Sequence, residues 1–238
     1  MNDLDQTIYF KYHFYFKDKS EEHVIINLLL KDLGCIHSKM DLKPEWTKLE
    51  YNQCDNCKLN SDEHPYCPLA LNLTDIIPKF KDKASYDKVF IRVETKDRIY
   101  ERETSIQHGL SSLLGIIMVT SGCPNMQVLK PMVRFHLPFA NVEETVFRSV
   151  SSYLLAQYFR YKKGLSPDWD LEGLLAAYKE VQIVNKGIAH RLVRTSEKDA
   201  STNAVVVLDV FAKELPFSIL EGMKKIEYLY KFFEEDDN

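Results

Sequence analysis

Residues 8–16, IYFKYHFYF, alternate so cleanly that Ile8, Phe10, Tyr12, Phe14 and Phe16 share one face, which only a half-buried strand can use. A polar turn, Lys17 to Glu22, leads to a second strand near 23–30 with Val24, Ile26, Leu28 and Leu30 on one face, so the two form a hairpin. Val89, Ile91 and Val93 alternate in the same way before a turn at Lys96-Asp97 and a partner strand over 98–103. The period then changes to that of a helix. Thr104 and Gln107 have the spacing of a capping box for a helix ending at Gly122, a C′ glycine. Asn141 caps a helix to about Lys163, and Ser166-Pro167 opens another that carries Leu171, Leu174, Leu175, Tyr178, Val181, Ile188 and Leu192 on one face. Helices over 200–213 and about 217–233 precede an acidic tail, Glu234-Glu235-Asp236-Asp237. Earlier, Pro68 opens a helix with Leu69, Leu73, Ile76, Ile77 and Phe80 on one side. The expected fold is α+β, two N-terminal antiparallel hairpins packed on a C-terminal helical bundle. The expected organisation is a single domain, 1–238, in which residues 1–105 are strand-rich and include a cysteine loop, 31–67, while residues 106–238 are helical.

Several function classes drop out. The eight glycines have neither G-x-G-x-x-G nor G-x-x-x-x-G-K-[ST] spacing, which removes the dinucleotide fingerprint and the P-loop. Gly109-Leu110-Ser111-Ser112-Leu113 lacks the second glycine of G-x-S-x-G, and H-E-x-x-H does not occur. With 31 Lys+Arg against 35 Asp+Glu the net charge is −4, so no nucleic-acid partner is expected. The start, MNDLDQT, lacks the features of a secretory signal, and Leu110–Val119 is too short to span a bilayer. The expectation is a cytosolic protein with reduced cysteines, no membrane association, and another protein as its partner; the sequon Asn72-Leu73-Thr74 then carries no meaning.

The five cysteines are the main lead to chemistry. Cys54-Asp55-Asn56-Cys57 is a C-x-x-C knuckle, Cys67 follows after nine residues, and Cys123 lies far downstream. Two thiolates at C-x-x-C spacing reach one tetrahedral ion, and four would close the shell as in a structural zinc site. Cys67-Pro68 and Cys123-Pro124 repeat a Cys-Pro step that puts each sulfur at a helix start, where the partial positive charge favours thiolate. The expected metal ligands are Cys54, Cys57, Cys67 and Cys123, with zinc ahead of an iron–sulfur cluster and of metal-free redox thiols. Cys35 is read as a small buried hydrophobe, and His64 and His136 are the substitutes should Cys123 lie too far away. A Cys123 ligand would make the metal join the strand-rich and helical halves.

Other clusters have ordinary explanations beside chemical ones. Arg134, His136, Glu143, Glu144 and Arg148 crowd a helix start and resemble an acid/base group, but Glu144 is also the N3 partner of an Asn141 capping box and Glu143 suits the helix dipole. Gln157, Asn185 and Asn203 fall on or beside apolar helix faces, and a shared polar network is expected ahead of a small-molecule pocket. The run Tyr158-Phe159-Arg160-Tyr161-Lys162-Lys163 reads as cations at a helix C-terminus rather than a nucleic-acid patch.

Over nearly its whole length the chain resembles a bacterial family described only as a domain of unknown function. The resemblance rests on Gln53-Cys54 through Cys57, Tyr66-Cys67-Pro68, Thr120-Ser121-Gly122-Cys123-Pro124, and Arg134-Phe135-His136-Leu137-Pro138-Phe139 with Glu143-Glu144-Thr145. Lys58 stands where the family pattern has proline, a departure that touches no proposed ligand. The resemblance implies no activity. The residues themselves lead to a cytosolic metal-binding protein, a structural zinc held by a cysteine cluster, with an interaction or regulatory role rather than turnover. The alternatives are an iron–sulfur or thiol-redox sensor or electron carrier and, third, an enzyme using His136 with Glu143 or Glu144.

Overall fold

The computed structural model describes residues 6–36, 43–193 and 198–233. The acidic tail and residues 37–42 of the cysteine loop lie outside the described residues. Strand β1 spans Thr7–Phe16 and buries Phe10, Tyr12, Phe14 and Phe16, as the alternation requires. Strand β2, Glu21–Leu29, returns antiparallel with Val24 opposite Tyr12, while Leu30 lies beyond its end and is exposed. Strands β3, Lys88–Glu94, and β4, Ile99–Ser105, form the second hairpin. Antiparallel pairing of β3 with β1 joins the hairpins into one sheet of order β2-β1-β3-β4.

The helices are α1 (Pro68–Asn72), α2 (Ile106–Thr120), α3 (Lys130–Arg134), α4 (Val142–Lys162), α5 (Glu172–Leu192) and α6 (Ala200–Ile226). The fold is α+β, with a four-stranded antiparallel sheet followed by a helical region. The core is continuous between the two: Phe14 and Ile91 of the sheet belong to the same buried cluster as Leu110 of α2 and Ile188 of α5. Helix α2 lies so close on the sheet that a side chain at Gly109 would collide with Ile91. Among the described residues no single helix is long and apolar enough to cross a membrane.

Several boundaries differ from the sequence expectation, each for a local reason. The helix opening at Pro68 stops at Asn72, where the Asn72 side-chain amide donates to Pro68 O and the Thr74 hydroxyl to Leu71 O, the latter a carbonyl that a longer helix would use. A 3-10 turn, Ile77–Phe80, completes the apolar face, and Leu69, Leu73, Ile76, Ile77 and Phe80 are all buried. The Thr104/Gln107 capping box does not form. Thr104 is in β4, and the Ile106 and Gln107 amides donate instead to the carbonyls of Asp87 and Ser85. Gly122 does end α2, at φ +93°. The Asn141–Glu144 capping box is present in both directions. Helix α5 begins at Glu172, not at Pro167, because the Asp168 carboxylate collects the Glu172 and Gly173 amides. The two C-terminal helices are one, α6, followed by a 3-10 segment, Glu227–Phe233. Packing of α6 against α2, α4 and α5 outweighs the backbone donor lost at Pro216.

Candidate functional site

Cys54, Cys57, Cys67 and Cys123 come from three stretches of chain, and all four line one cavity of about 20 Å³. The knuckle turns back on itself through a bond from the Cys57 amide to Cys54 O. Cys67 precedes α1 and Cys123 precedes a 3-10 turn, Pro124–Leu129, each with proline at the first position. Val184 and Ile188 of α5 close the far wall. Among the described residues, however, no three His, Cys, Asp or Glu side chains converge closely enough to hold an ion. The four thiols therefore share a cavity without forming a coordination shell in this arrangement.

Their acidity reflects this enclosure. Burial pushes the Cys54 thiol up to about 12, and Cys67, Cys123 and Cys57 push the same way while Arg191 pulls down. Burial also lifts Cys123 to about 11, although the Asn125 and Met126 amides at the start of the turn stabilise its thiolate. The helix-start effect expected for Cys123 is present, but desolvation exceeds it. Cys35 stands apart, in an isolated bridge with Leu28, and burial lifts its thiol to about 11. His64 lies in an exposed turn and His136 lines a different cavity, so neither accompanies the cysteines.

Two features hold the thiol cavity together. Arg191 of α5 is 1% exposed and donates from Nη1 to Trp46 O and Lys48 O and from Nη2 to Leu49 O, tying the cysteine loop to the helix. Among the described residues no carboxylate lies within ion-pair distance of this buried cation. Gly187, one helical turn earlier, is where Cys54 meets α5: an added Cβ would stand 2.6 Å from Cys54 Sγ. The Asn56 side chain reaches Glu180 of the same helix, and the Asn125 side chain donates to Asn56 O.

A second cavity, of about 450 Å³, lies among β4, α2, α3, α4, α5 and α6. Its walls are mainly apolar, with Met118, Met126 and Leu208 among them, and Ser112, His136, Arg148, Tyr178 and Asn185 contribute polar groups. Below its floor the Tyr12 hydroxyl stands 2.8 Å from His136 Nε2 and 3.0 Å from Ser112 Oγ. Burial holds His136 down at about 3 and raises Tyr12 far above the usual phenol range, so both are neutral near pH 7. His136 thus meets two hydroxyls rather than Glu143 or Glu144. Glu144 is committed to the amide of Asn141, and Glu143 is exposed in the first turn of α4. Arg134 is exposed and stacks its guanidinium over Phe135, while Arg148 Nη2 donates to Met132 O and Phe135 O.

The expected amide network divides among three places. Gln157 accepts from the Asp168 amide, Asn203 donates to Ser85 and Asp199, and Asn185 lines the large cavity. The three residues sit on three different helices, α4, α5 and α6, and no hydrogen bond among the described residues links them. In the basic-aromatic run, Tyr158, Phe159 and Tyr161 are exposed near the end of α4. Sequence reasoning misses the Tyr12–Ser112–His136 contact. By pattern Tyr12 is only an apolar strand position, and nothing in the spacing pairs it with residues 100 and 124 positions away.

A four-stranded antiparallel sheet followed by a helical region defines an α+β protein. The chain belongs to the family described as Domain of unknown function (DUF6901), whose model matches residues 10–231 and so spans both cavities. No curated protein and no solved structure matches the chain.

Proposed function

We propose that this is a cytosolic zinc-binding protein in which Cys54, Cys57, Cys67 and Cys123 hold one structural ion, and that it acts through interaction or regulation rather than turnover. The observation that carries the reading is the meeting of all four thiols, from distant stretches of chain, around a cavity of about 20 Å³. Such a volume admits about one water-sized sphere. In such a site the thiols would rearrange from the present placement to a Zn–S distance of about 2.3 Å, and four of them would leave no open position for a substrate. Four thiolates on a dication carry a net charge of about −2. Buried Arg191, without a carboxylate of its own among the described residues, lies near enough to Cys54 to favour its thiolate.

The raised thiol at Cys54 disfavours thiol exchange at that residue, since exchange chemistry needs an accessible thiolate at neutral pH. A metal overcomes the same penalty by displacing protons. Exposed Leu155, Tyr158, Phe159 and Tyr161 on α4 support a protein partner. Elemental analysis and a visible spectrum of anaerobically purified protein test the reading. One zinc per chain in a colourless sample is expected; a brown sample absorbing near ~400 nm identifies an iron–sulfur cluster instead, and metal-free thiols overturn both.

A further inference from the structure

The cavity of about 450 Å³ is unrelated to the thiols and has the size of a small-molecule site, for which about 300–1,000 Å³ is usual. Three features indicate that its volume is maintained rather than left over. Gly115 lies in the middle of α2, where glycine costs about 1 kcal/mol relative to alanine. Its backbone does not have positive φ, and an added Cβ would meet nothing nearer than Leu208 Cδ2 at 3.8 Å, so neither conformation nor packing demands glycine there. What glycine does provide is space, because this position belongs to the cavity wall. Phe139, also in the wall, has φ 61°, a left-handed conformation that side chains of its kind rarely adopt, and its carbonyl accepts from Arg102 Nη1. Asn185 is 2% exposed, yet its Oδ1 has no hydrogen-bond partner among the described residues.

The polar groups of the wall are unequal in sign. Arg102 and Arg148 belong to it, and no aspartate or glutamate does. Arg148 lines the cavity with its Nη2 anchored on the carbonyls of Met132 and Phe135, and the nearby Glu144 carboxylate is held in its capping box rather than paired with it. His136 lines the cavity and uses Nε2 on Tyr12, while its Nδ1 makes no hydrogen bond among the described residues. In the tautomer in which Nε2 accepts from the Tyr12 hydroxyl, Nδ1 carries the ring proton and is a donor. A guanidinium and an imidazole donor beside a long, methionine-bearing apolar wall match a ligand with one anionic head and an apolar body.

We infer that this cavity binds an amphipathic monocarboxylic acid, its carboxylate toward Arg148 and His136 and its hydrocarbon toward Met118, Met126 and Leu208. The site stands independently of the zinc reading, since no cysteine lines it. The test is displacement of the fluorophore anilinonaphthalene sulfonate from the full chain as purified, with decanoate, decanol and decylamine as competitors and metal content measured alongside. Decanoate should displace the probe at a concentration about tenfold or more below that of decanol, the factor expected for a charge-assisted hydrogen bond, and decylamine should be weakest. Gly115→Phe, which takes up part of the cavity, should weaken displaceable binding severalfold at an unchanged or higher melting temperature. Arg148→Gln should remove the preference for decanoate over decanol; should that variant misfold, Arg102→Gln, which removes the wall's other cation, should narrow it. Equal competition by decanol, or full decanoate binding by a folded Gly115→Phe, overturns the inference. Metal content is expected to be the same in Gly115→Phe and the parent, so failure here leaves the zinc proposal standing.

Discussion

The two cavities share walls but differ in what their neighbouring residues are built to do. On the 124–129 turn Asn125 faces the thiols and Met126 the large cavity; on α5 Val184 faces the thiols and Asn185 the large cavity. Successive positions on a helical turn point about 100° apart, so one element can serve two chemistries without either reaching the other. The glycines show the contrast most directly. Gly187 is required because Cys54 Sγ presses on the helix, whereas Gly115 is pressed by nothing and leaves room. One cavity is small and lined by four thiols; the other is more than twenty times larger and mainly apolar.

The largest effect should come from breaking the small cavity. Cys123→Ser is expected to lose the bound metal and destabilise the whole chain by several kcal/mol, because metal binding in such sites is folding free energy of about 10 kcal/mol or more. Unchanged melting with a full equivalent of metal would show that the thiols are merely packed. The large cavity should reveal itself through pH. His136 is held at about 3 when folded against an ordinary value of 6.5, so between these limits the unfolded chain binds more protons and stability falls as pH falls. From pH 7 to 5 its share amounts to about 2 kcal/mol, or a melting decrease of about 4–8 °C. His136→Gln should flatten that slope, leaving the smaller contribution of His13, which is also held down by burial. An equal slope in the variant would place the dependence elsewhere. The smallest effects should have opposite signs: Gly187→Ala is expected to cost about 1 kcal/mol and weaken metal retention, while Gly115→Ala gains about 0.4–1 kcal/mol with metal unaffected. Denaturant titration of both variants checks the pair, and two changes of one sign would remove the distinction between the glycines.

Much of the fold was legible from residue order. The alternation of Phe10, Tyr12, Phe14 and Phe16 specified a half-buried strand because one register alone puts all four inside. Asn141 and Glu144 identified a helix start because their partners are three residues apart. Errors arose where a distant or competing donor intervened. The α2 amides found the carbonyls of Ser85 and Asp87 in place of the Thr104 side chain, and Asp168 delayed α5 by taking its first amides. The C-x-x-C turn and the two Cys-Pro steps were legible because each is local, but the buried Arg191 was not, since it lies far along the chain and donates to carbonyls that carry no sequence signature.

By itself, then, the sequence determined the order of strands and helices, because that order depends on periodicity and local spacing. Tertiary structure alone decided that Cys54, Cys57, Cys67 and Cys123 line one cavity, that His136 meets Tyr12 and Ser112 rather than the glutamates, and that a large space lies beside Gly115. A cavity is the volume left where six separate elements fail to touch, and no single stretch of chain records how the others will pack against it.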